Sequence, residues 1–422
     1  MVRFPRYLAV VFLILMLATD AVADLPIPDR RKPQFQKESG YYIFPTPYSL
    51  PGIGDGLAVI GLGMNLGGTY TDLFGFGLTG DMLGLGLGII DVHLVPERLI
   101  LDINVERFNK ATVTSFSERG MNTAEHDYTL LKFDNFQFIG GRLTNTYFDR
   151  KFEVYGGGYL INSKLGAILD PEGNTILDVQ DPQPWREQVY VLGTRFDLTD
   201  DYADPRRGLR LDAGRWWSPP KDQSDPDFYH MEYNATAYIP MGRISTWVFN
   251  YFRADAHVLR QGEINRDTIS VEQGLNCNDL AVDTQEWQDC WAVVDSIVAA
   301  NTYGTAGSFG GTSRLRSYPN DRYKGAHAVF YGTEFRFNLT EEARPFDIFI
   351  AKDIRTVLQL AFFYELGSVE DERKRLGDIY RASYGAGFRM VTASGVVFRA
   401  DVAAGKEGFE TTIIFGYPWE PL

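Results

Sequence analysis

Residues 99–106 read LILDINVE, and this stretch decides the class of fold. Leu101 and Ile103 fall on one face of an extended chain. Asp102 and Asn104 fall on the other face, because successive side chains of a strand point in opposite directions. This alternation with a period of two residues predicts a β-strand that has one apolar face and one polar face. Soluble β-sandwiches contain such strands too, with the apolar face buried in protein.

The same alternation recurs along the chain and favours a membrane barrel over a sandwich. Apolar and polar side chains alternate in residues 208–214 (GLRLDAG), 329–339 (VFYGTEFRFNL) and 358–366 (LQLAFFYEL), and the polar faces include Glu334 and Glu365. Full charges on the second face are typical of the wet interior of a barrel. The strands are also about 9–11 residues long, as tilted membrane-spanning strands must be.

Fifteen strands are predicted along the chain, near residues 58–66, 70–79, 83–93, 98–107, 128–141, 151–162, 188–197, 207–217, 228–239, 243–255, 326–338, 355–367, 380–390, 395–404 and 409–417. Bacterial barrels made of one chain have an even number of strands. We therefore predict an all-β fold, a 16-stranded antiparallel transmembrane β-barrel, with the missing strand at residues 40–48 or 108–127.

The composition agrees with a barrel in lipid. The 422 residues include 42 Gly, 29 Phe and 23 Tyr, and 23% of them are charged. This mixture is expected when apolar and aromatic side chains face lipid while polar side chains and Gly face inward. The Gly-rich segment 52–88 lacks a nucleotide-binding GxGxxG pattern. Its alternate glycines instead allow a plug element or another backbone segment to come close.

The net charge of −14 argues against a nucleic-acid partner.

The first residues predict export. Arg3 and Arg6 precede the apolar run 7–18, which is too short to span a bilayer as a helix. Residues 21–23 (AVA) fit the small-x-small pattern in front of a cleavage site. We expect a signal peptide at residues 1–23, a short periplasmic segment at 24–50 and the barrel at 51–422.

A long insertion at residues 257–325 interrupts the series of strands. It contains both cysteines, Cys277 and Cys290, and an exported protein meets an oxidising compartment, so we expect a disulfide between them. Closing so short a loop stabilises the fold by about 3 kcal/mol in the chain-entropy model. The sequence predicts a short helix at residues 283–301, inside the insertion.

The end of the insertion, residues 310–325 (GGTSRLRSYPNDRYKG), resembles the tip of the sixth extracellular loop in the BamA/TamA outer-membrane assembly superfamily. That tip carries Val-Arg-Gly followed by Phe or Tyr, and here the residues are Leu315, Arg316, Ser317 and Tyr318. Further segments resemble family motifs in the same order, namely 200–208 (DDYADPRRG), 332–336 (GTEFR), 363–367 (FYELG, with Gly367) and 385–389 (GAGFR, with Arg389).

The resemblance implies a contact inside the barrel. In the family, the sixth loop folds into the lumen and its Arg pairs with acids on the barrel wall. We therefore expect Arg316 to meet Glu334 and Glu365 with Tyr318 beside them, and we call these four residues the loop lock. The alternation independently places both acids on the inner face. A guanidinium between two carboxylates makes charge-assisted hydrogen bonds, and removal of one partner would cost about 3–5 kcal/mol.

The last predicted strand also resembles the family. Residues 411–417 (TTIIFGY) are similar to a terminal strand with an aromatic sorting signal, here Phe415 and Tyr417. The family ends at that aromatic residue, whereas this chain continues with PWEPL. Family members also carry periplasmic POTRA domains, and residues 24–50 are too few for such a domain, so the sequence predicts a member that lacks them.

Two classes of function follow from the resemblance. The first is protein insertion or translocation at the outer membrane of a Gram-negative bacterium. The alternative is a plugged or gated pore for small solutes. The expected partners are outer-membrane lipid, lipopolysaccharide and unfolded outer-membrane or secreted protein clients, and no cofactor or metal is expected. The acid–His neighbours at 126–127 and 225–230 have no serine motif near them, so no catalytic residue is expected and the chain is not predicted to be an enzyme.

Overall fold

A computed structural model describes residues 34–35, 39–125, 128–179, 184–242, 244–340, 346–348, 351–354, 356–392 and 396–420. The expected signal peptide (1–23) and the His126-Asp127 pair lie outside the described residues. The described chain forms a closed, almost entirely β barrel of sixteen antiparallel strands, which confirms the predicted fold class.

The barrel strands are β1 Gly40–Leu50, β2 Gly54–Met64, β3 Asp72–Gly80, β4 Leu83–Val95, β5 Leu99–Phe116, β6 Tyr128–Tyr147, β7 Phe152–Leu169, β8 Pro184–Asp197, β9 Gly208–Trp217, β10 Asp227–Met241, β11 Ser245–Arg260, β12 His327–Asn338, β13 Thr356–Glu370, β14 Arg381–Thr392, β15 Val397–Gly405 and β16 Gly408–Phe415. Each strand pairs with the next one along the chain, and β16 pairs with β1 to close the ring. The short strand Thr175–Asp178 pairs only with the end of β7, and a small hairpin, Phe346–Ile348 with Ala351–Ile354, lies between β12 and β13.

The strand missing from the fifteen is β1, at the first of the two expected places. It begins at Gly40, inside the segment 24–50 that the sequence assigned to the periplasm, so the barrel starts earlier than residue 51. Tyr42 and Tyr48 are buried on one face of β1, whereas Tyr41 is exposed on the other. The alternation was present in the sequence, but Pro45 and Pro47 obscured it, since proline is uncommon inside strands.

Three strands exceed the expected span of about 9–11 residues by the most. β5, β6 and β7 contain 18, 20 and 18 residues. The β5–β6 ladder continues to the pair Phe116–Tyr128, so the predicted strands 98–107, 128–141 and 151–162 stop too early. Backbone pairing extends these ribbons past the membrane-spanning length.

The outward face is apolar around the barrel. Leu57 and Val59 on β2 are 61% and 57% exposed, and Leu85 and Leu87 on β4 are 55% and 59% exposed. A soluble protein rarely leaves an apolar surface of this extent uncovered. The outward side chains are therefore suited to contact lipid.

The inward face differs between the two sides of the barrel. On β12 to β15 it carries buried charges, including Glu334 and Arg389. On β2 and β3 it carries partly buried apolar side chains, among them Ile60, Leu62 and Phe76. The strand β9 also carries the buried charges Arg210 and Asp212. The polar interior expected from composition is thus present over part of the barrel, whereas apolar side chains line β2 and β3.

The alternate glycines of β4 make room for aromatic rings. A Cβ at Gly86 or Gly88 would overlap the rings of Phe76 and Phe74 on the neighbouring β3. The glycines therefore accommodate side chains of the adjacent strand, and this gives a physical reason for the LGLGLG repeat at 83–88.

The connection between β11 and β12 spans residues 261–326, close to the expected 257–325. It contains α1 Arg266–Glu272 and α2 Gln285–Tyr303, and α2 confirms the helix expected at 283–301. Asn265 and Thr284 cap the two helices, because their side chains accept backbone N–H groups of the first turn. None of the described helices is long and apolar enough to cross a bilayer.

Candidate functional site

A short hairpin presents the tip of the long connection. Gly307–Phe309 pairs with Tyr323–Gly325, and the intervening residues form the tip. The tip turns at Leu315, whose φ is 52°, and Tyr318 N donates to Leu315 O over 3.0 Å. The left-handed conformation therefore falls on Leu315 and not on Ser317, which stands where the related tips have Gly.

The structure brings Arg316, Glu334 and Glu365 together. The side chains of all three are fully buried. Arg316 Nε donates to Glu365 Oε1 over 2.9 Å, and the backbone N–H of Arg316 donates to Glu365 Oε2 over 3.0 Å. The two terminal nitrogens of Arg316 lie 3.3 Å from Glu334 Oε2. The guanidinium also lies 3.5 Å from the centre of the Phe363 ring, a cation–π distance.

A third acid completes the pocket around Arg316. Asp401 on β15 accepts from Arg316 Nη1 over 2.7 Å. Sequence reasoning did not single out Asp401. Its signal was the alternation of β15, where Val397, Arg399 and Asp401 are buried while Val402 is exposed. This alternation places Asp401 on the inner face, although nothing in the sequence says which loop residue it meets.

Further guanidinium groups surround the same carboxylates. Arg336 Nε donates to Glu334 Oε1 over 2.8 Å, and Arg389 Nη2 donates to Glu334 Oε2 over 3.1 Å. Arg389 also contacts Asp401. Arg399, the fourth cation, lies 3.6 Å from Asp401.

This buried network joins the loop tip to the wall through shared carboxylates. Four arginines share three carboxylates among the residues just described, so each acid serves more than one donor. A buried charge without a partner is costly, whereas a hydrogen-bonded pair is tolerated. The arrangement therefore holds the loop tip against β12, β13 and β15 at once.

Two loop arginines show opposite pKa shifts. Burial opposes the charge on Arg316, but Glu365, Asp401 and Glu334 outweigh it and hold the pKa of Arg316 above its ordinary value. Burial lowers the pKa of Arg314 to about 10, since its acidic neighbours compensate less. The Arg314 guanidinium instead lies 3.8 Å from the centre of the Phe252 ring.

Tyr318 and Ser317 attach the tip to β14. The hydroxyl of Tyr318 donates to Ala382 O over 3.2 Å, and Ser317 N donates to Ser383 Oγ over 3.0 Å. The Tyr318 side chain is fully buried and packs edge-on against Tyr323. Both residues thus contact the wall beside Arg316.

Leu315 packs into space left by Gly367. A Cβ at Gly367 would lie 2.9 Å from Leu315 Cδ1 and 2.8 Å from Phe309 Cδ2. Glycine in the FYELG segment therefore permits the close approach of the tip to β13.

The end of the barrel differs from the expected strand 409–417. β16 ends at Phe415, and the chain then turns inward. The Tyr417 hydroxyl lies 2.7 Å from Asp204 Oδ1 and is buried. Phe415 stays in the strand and packs against Phe398, so the two expected sorting residues occupy different environments.

The two cysteines belong to the helical part of the connection. Cys277 and Cys290 are joined by a disulfide, and Cys277 packs with Ile269, Trp291 and Val294. Among the described residues, no group of three or more His, Cys, Asp and Glu side chains is placed to hold a metal ion.

No protein-family model matches the chain, and no curated protein matches it. Among solved structures, BamA from Haemophilus ducreyi lacking POTRA domains 1–3 aligns with a TM-score of 0.47 and 12% identity over 90% of this chain and 70% of that one. CdiB from Escherichia coli aligns with a TM-score of 0.49 and 12% identity over 89% and 61%. CdiB from Acinetobacter baumannii aligns with 0.46 and 11% over 90% and 66%. The chain thus spans less than two thirds of both CdiB proteins, and likenesses at this level assign no function.

Proposed function

We propose that this chain is a non-enzymatic outer-membrane barrel of a Gram-negative bacterium, which inserts or translocates polypeptide clients by opening between β1 and β16. The seam between these two strands carries the proposal. The structure describes both strands in full, and they share one aligned residue pair, Ser49 with Ile413. By contrast, β3 and β4 share seven pairs, and β5 and β6 share seventeen.

The seam is the weakest part of the ring because few hydrogen bonds cross it. Each backbone hydrogen bond contributes about 0.5–1.5 kcal/mol in water, and its loss costs more in lipid, where no water replaces it. One side-chain bond, from Ser49 Oγ to Thr411 O over 2.8 Å, supplements the single pair. Separation of β1 from β16 therefore disrupts the least structure.

The composition of β1 supports an opening at this edge. Pro45 and Pro47 have no backbone N–H to give to a ladder, and proline in sheets is confined to edge strands. A strand edge that becomes free in the membrane pairs with another extended segment. We propose that the extended segment is supplied by an unfolded client.

The outward apolar face supports the membrane location. Residues such as Leu57 and Leu87 place aliphatic side chains where an aqueous environment would penalise them. We therefore propose outer-membrane lipid and lipopolysaccharide as the surrounding partners.

In this proposal the loop lock keeps one side of the barrel rigid. Arg316 bonds to β12, β13 and β15 together, so these strands move as one body. β1 and β2 have no part in that network, and they supply the moving side.

A disulfide across the seam tests the proposal. An aligned antiparallel pair has the spacing that a disulfide needs, so Ser49→Cys with Ile413→Cys should close the seam on oxidation. In liposomes, the parent should speed insertion of a small outer-membrane barrel added from urea. The oxidised variant should not, and reductant should restore the rate.

The matched control places a disulfide between β8 and β9, which are paired along an extended ladder. Thr194 and Ala213 are aligned between β8 and β9, so Thr194→Cys with Ala213→Cys should insert clients at the parental rate when oxidised. Because reductant also opens Cys277–Cys290, this control reports that side effect. Equal activity of both oxidised variants would refute the opening.

The alternative, a gated pore for small solutes, is favoured by a separate observation. A cavity of about 540 Å³ lies beside the β1–β2 turn, and Ser49, Lys110 and Glu410 are among the residues that line it. A pore would conduct in planar bilayers without any effect on client insertion, and Arg316→Ala would raise its conductance.

A further inference from the structure

The residues that follow β16 fold back into the barrel. We call residues 416–420 the trailing segment. Gly416 and Trp419 have φ values of 89° and 69°, so two left-handed residues bend the chain within four positions. Trp419 is 1% exposed, which makes it the largest of the fully buried side chains.

Trp419 occupies a fitted position on the inner wall. Its indole Nε1 donates to Glu365 Oε1 over 2.8 Å, and its carbonyl accepts from Asn234 Nδ2 over 3.0 Å. A Cβ at Gly332 would lie 2.7 Å from the indole ring. Gly332 thus leaves the space that the indole fills.

The neighbours of Trp419 attach the trailing segment to further elements of the barrel. Glu420 forms an ion pair with Arg210 on β9 at 3.0 Å. Tyr417 reaches Asp204 in the β8–β9 connection and Gln359 on β13. The trailing segment therefore leaves β16 and bridges β9, the β8–β9 connection and β13.

Glu365 connects the trailing segment with the loop lock. Its Oε1 accepts from Arg316 Nε over 2.9 Å and from Trp419 Nε1 over 2.8 Å. The Arg316 guanidinium lies 5.6 Å from the centre of the indole ring. The indole and Arg316 thus share one carboxylate oxygen.

We propose that the trailing segment is an internal latch, in which Trp419 positions Glu365 for Arg316 and so keeps the loop tip closed. Displacement of Trp419 frees the tip. The latch regulates the loop lock, and its role in client insertion rests on the proposed function. The closure of the loop tip by Trp419 can be tested without the proposed function, because loop closure is measured independently of client insertion.

A buried thiol in the tip reports loop closure. Ser317 is buried, so Ser317→Cys should react slowly with a charged maleimide while the native cysteines remain in their disulfide. Adding Trp419→Phe removes the indole N–H and keeps an aromatic ring. Loss of one charge-assisted bond corresponds to about a tenfold rise in labelling rate. Phe409→Ala, at a side chain that is 75% exposed on β16, is the matched control and should leave the rate unchanged.

Indole itself provides the decisive measurement. In Trp419→Ala, labelling should rise further, and millimolar indole should return it toward the parental rate by refilling the space at Gly332. If Trp419→Ala does not fold, Trp419→Phe carries the test. A parental rate in Trp419→Phe, or a raised rate in Trp419→Ala that indole leaves unchanged, overturns the latch. Faster labelling of the Trp419 variants supports the latch. If the oxidised β1–β16 disulfide also blocks client insertion, both proposals are supported. If the parent protein shows no insertion activity, the latch alone is supported.

Discussion

Glu365 accepts two hydrogen bonds from Arg316, one from the backbone N–H to Oε2 at 3.0 Å and one from Nε to Oε1 at 2.9 Å. The backbone bond fixes the position of the loop tip, and the side-chain bond neutralises the buried guanidinium. A single carboxylate thus helps to position the tip and, together with Glu334 and Asp401, compensates its charge.

Arg316→Ala should lower the free energy of unfolding by about 3–5 kcal/mol, because Glu334, Glu365 and Asp401 would share fewer cations in a buried site. Arg316→Lys should recover only part of this, since an ammonium cannot bond to the acids in the same fork geometry. Urea unfolding of the reconstituted protein measures both.

The control for Arg316 is an exposed arginine. Arg266 pairs with Asp295 at 2.8 Å, and both side chains are about half exposed. Arg266→Ala should therefore cost about 1 kcal/mol at most. A similar loss of stability in Arg266→Ala and Arg316→Ala would contradict a special role for the buried network.

Asp401→Asn should be strongly coupled to Arg316→Ala. Asp401 bonds to Arg316 and Arg389, so each substitution removes part of the same network. A double-mutant cycle should give a coupling energy of about 0.5–3 kcal/mol, as contacting groups do. Additive effects within about 0.5 kcal/mol would show that the two side chains do not interact in solution.

Gly367→Ala should push the tip away from β13. The added methyl would meet Leu315 and Phe309 at less than 3 Å, and overpacking of this kind costs about 1–3 kcal/mol. Gly77→Ala is the matched control, because a Cβ there meets no atom within 4 Å. The labelling rate of Ser317→Cys should rise in the first variant only, and a rise in neither would argue against close packing of the tip.

Removal of the disulfide should loosen the helices without opening the barrel. Cys277 and Cys290 are 13 residues apart, and the bond stabilises such a loop by about 3 kcal/mol in the chain-entropy model. In Cys277→Ser with Cys290→Ser, a broad-specificity protease should cut residues 261–306 faster. The urea midpoint of the barrel should stay within experimental error of the parent, and a drop like that of Arg316→Ala would contradict the separation of the two regions.

The alternation of apolar and polar residues predicted the strands well where the two faces of a strand differ clearly in polarity. β12 and β13 were placed with Glu334 and Glu365 inward, and the structure has both buried. The start of β1 falls in the segment 24–50, which is rich in Pro and charge and was assigned to the periplasm, although 40–48 was one of the two places expected for the missing strand. The lengths of β5 to β7 were underestimated, since pairing past the membrane depends on the partner strand and not on the alternation of one segment.

The sequence by itself determined that this chain is a barrel and which side chains face inward, because the face of a strand is a local property with a period of two residues. The family resemblance pointed to the contact of Arg316 with Glu334 and Glu365, and only the tertiary structure decided which other inward residues meet. Asp401 reaches Arg316 across 85 positions of sequence, and Trp419 reaches Glu365 across 54. Those contacts, and the weak seam at Ser49 and Ile413, depend on how the ring closes and on how the interior is filled. Alternation along one strand carries no information about either.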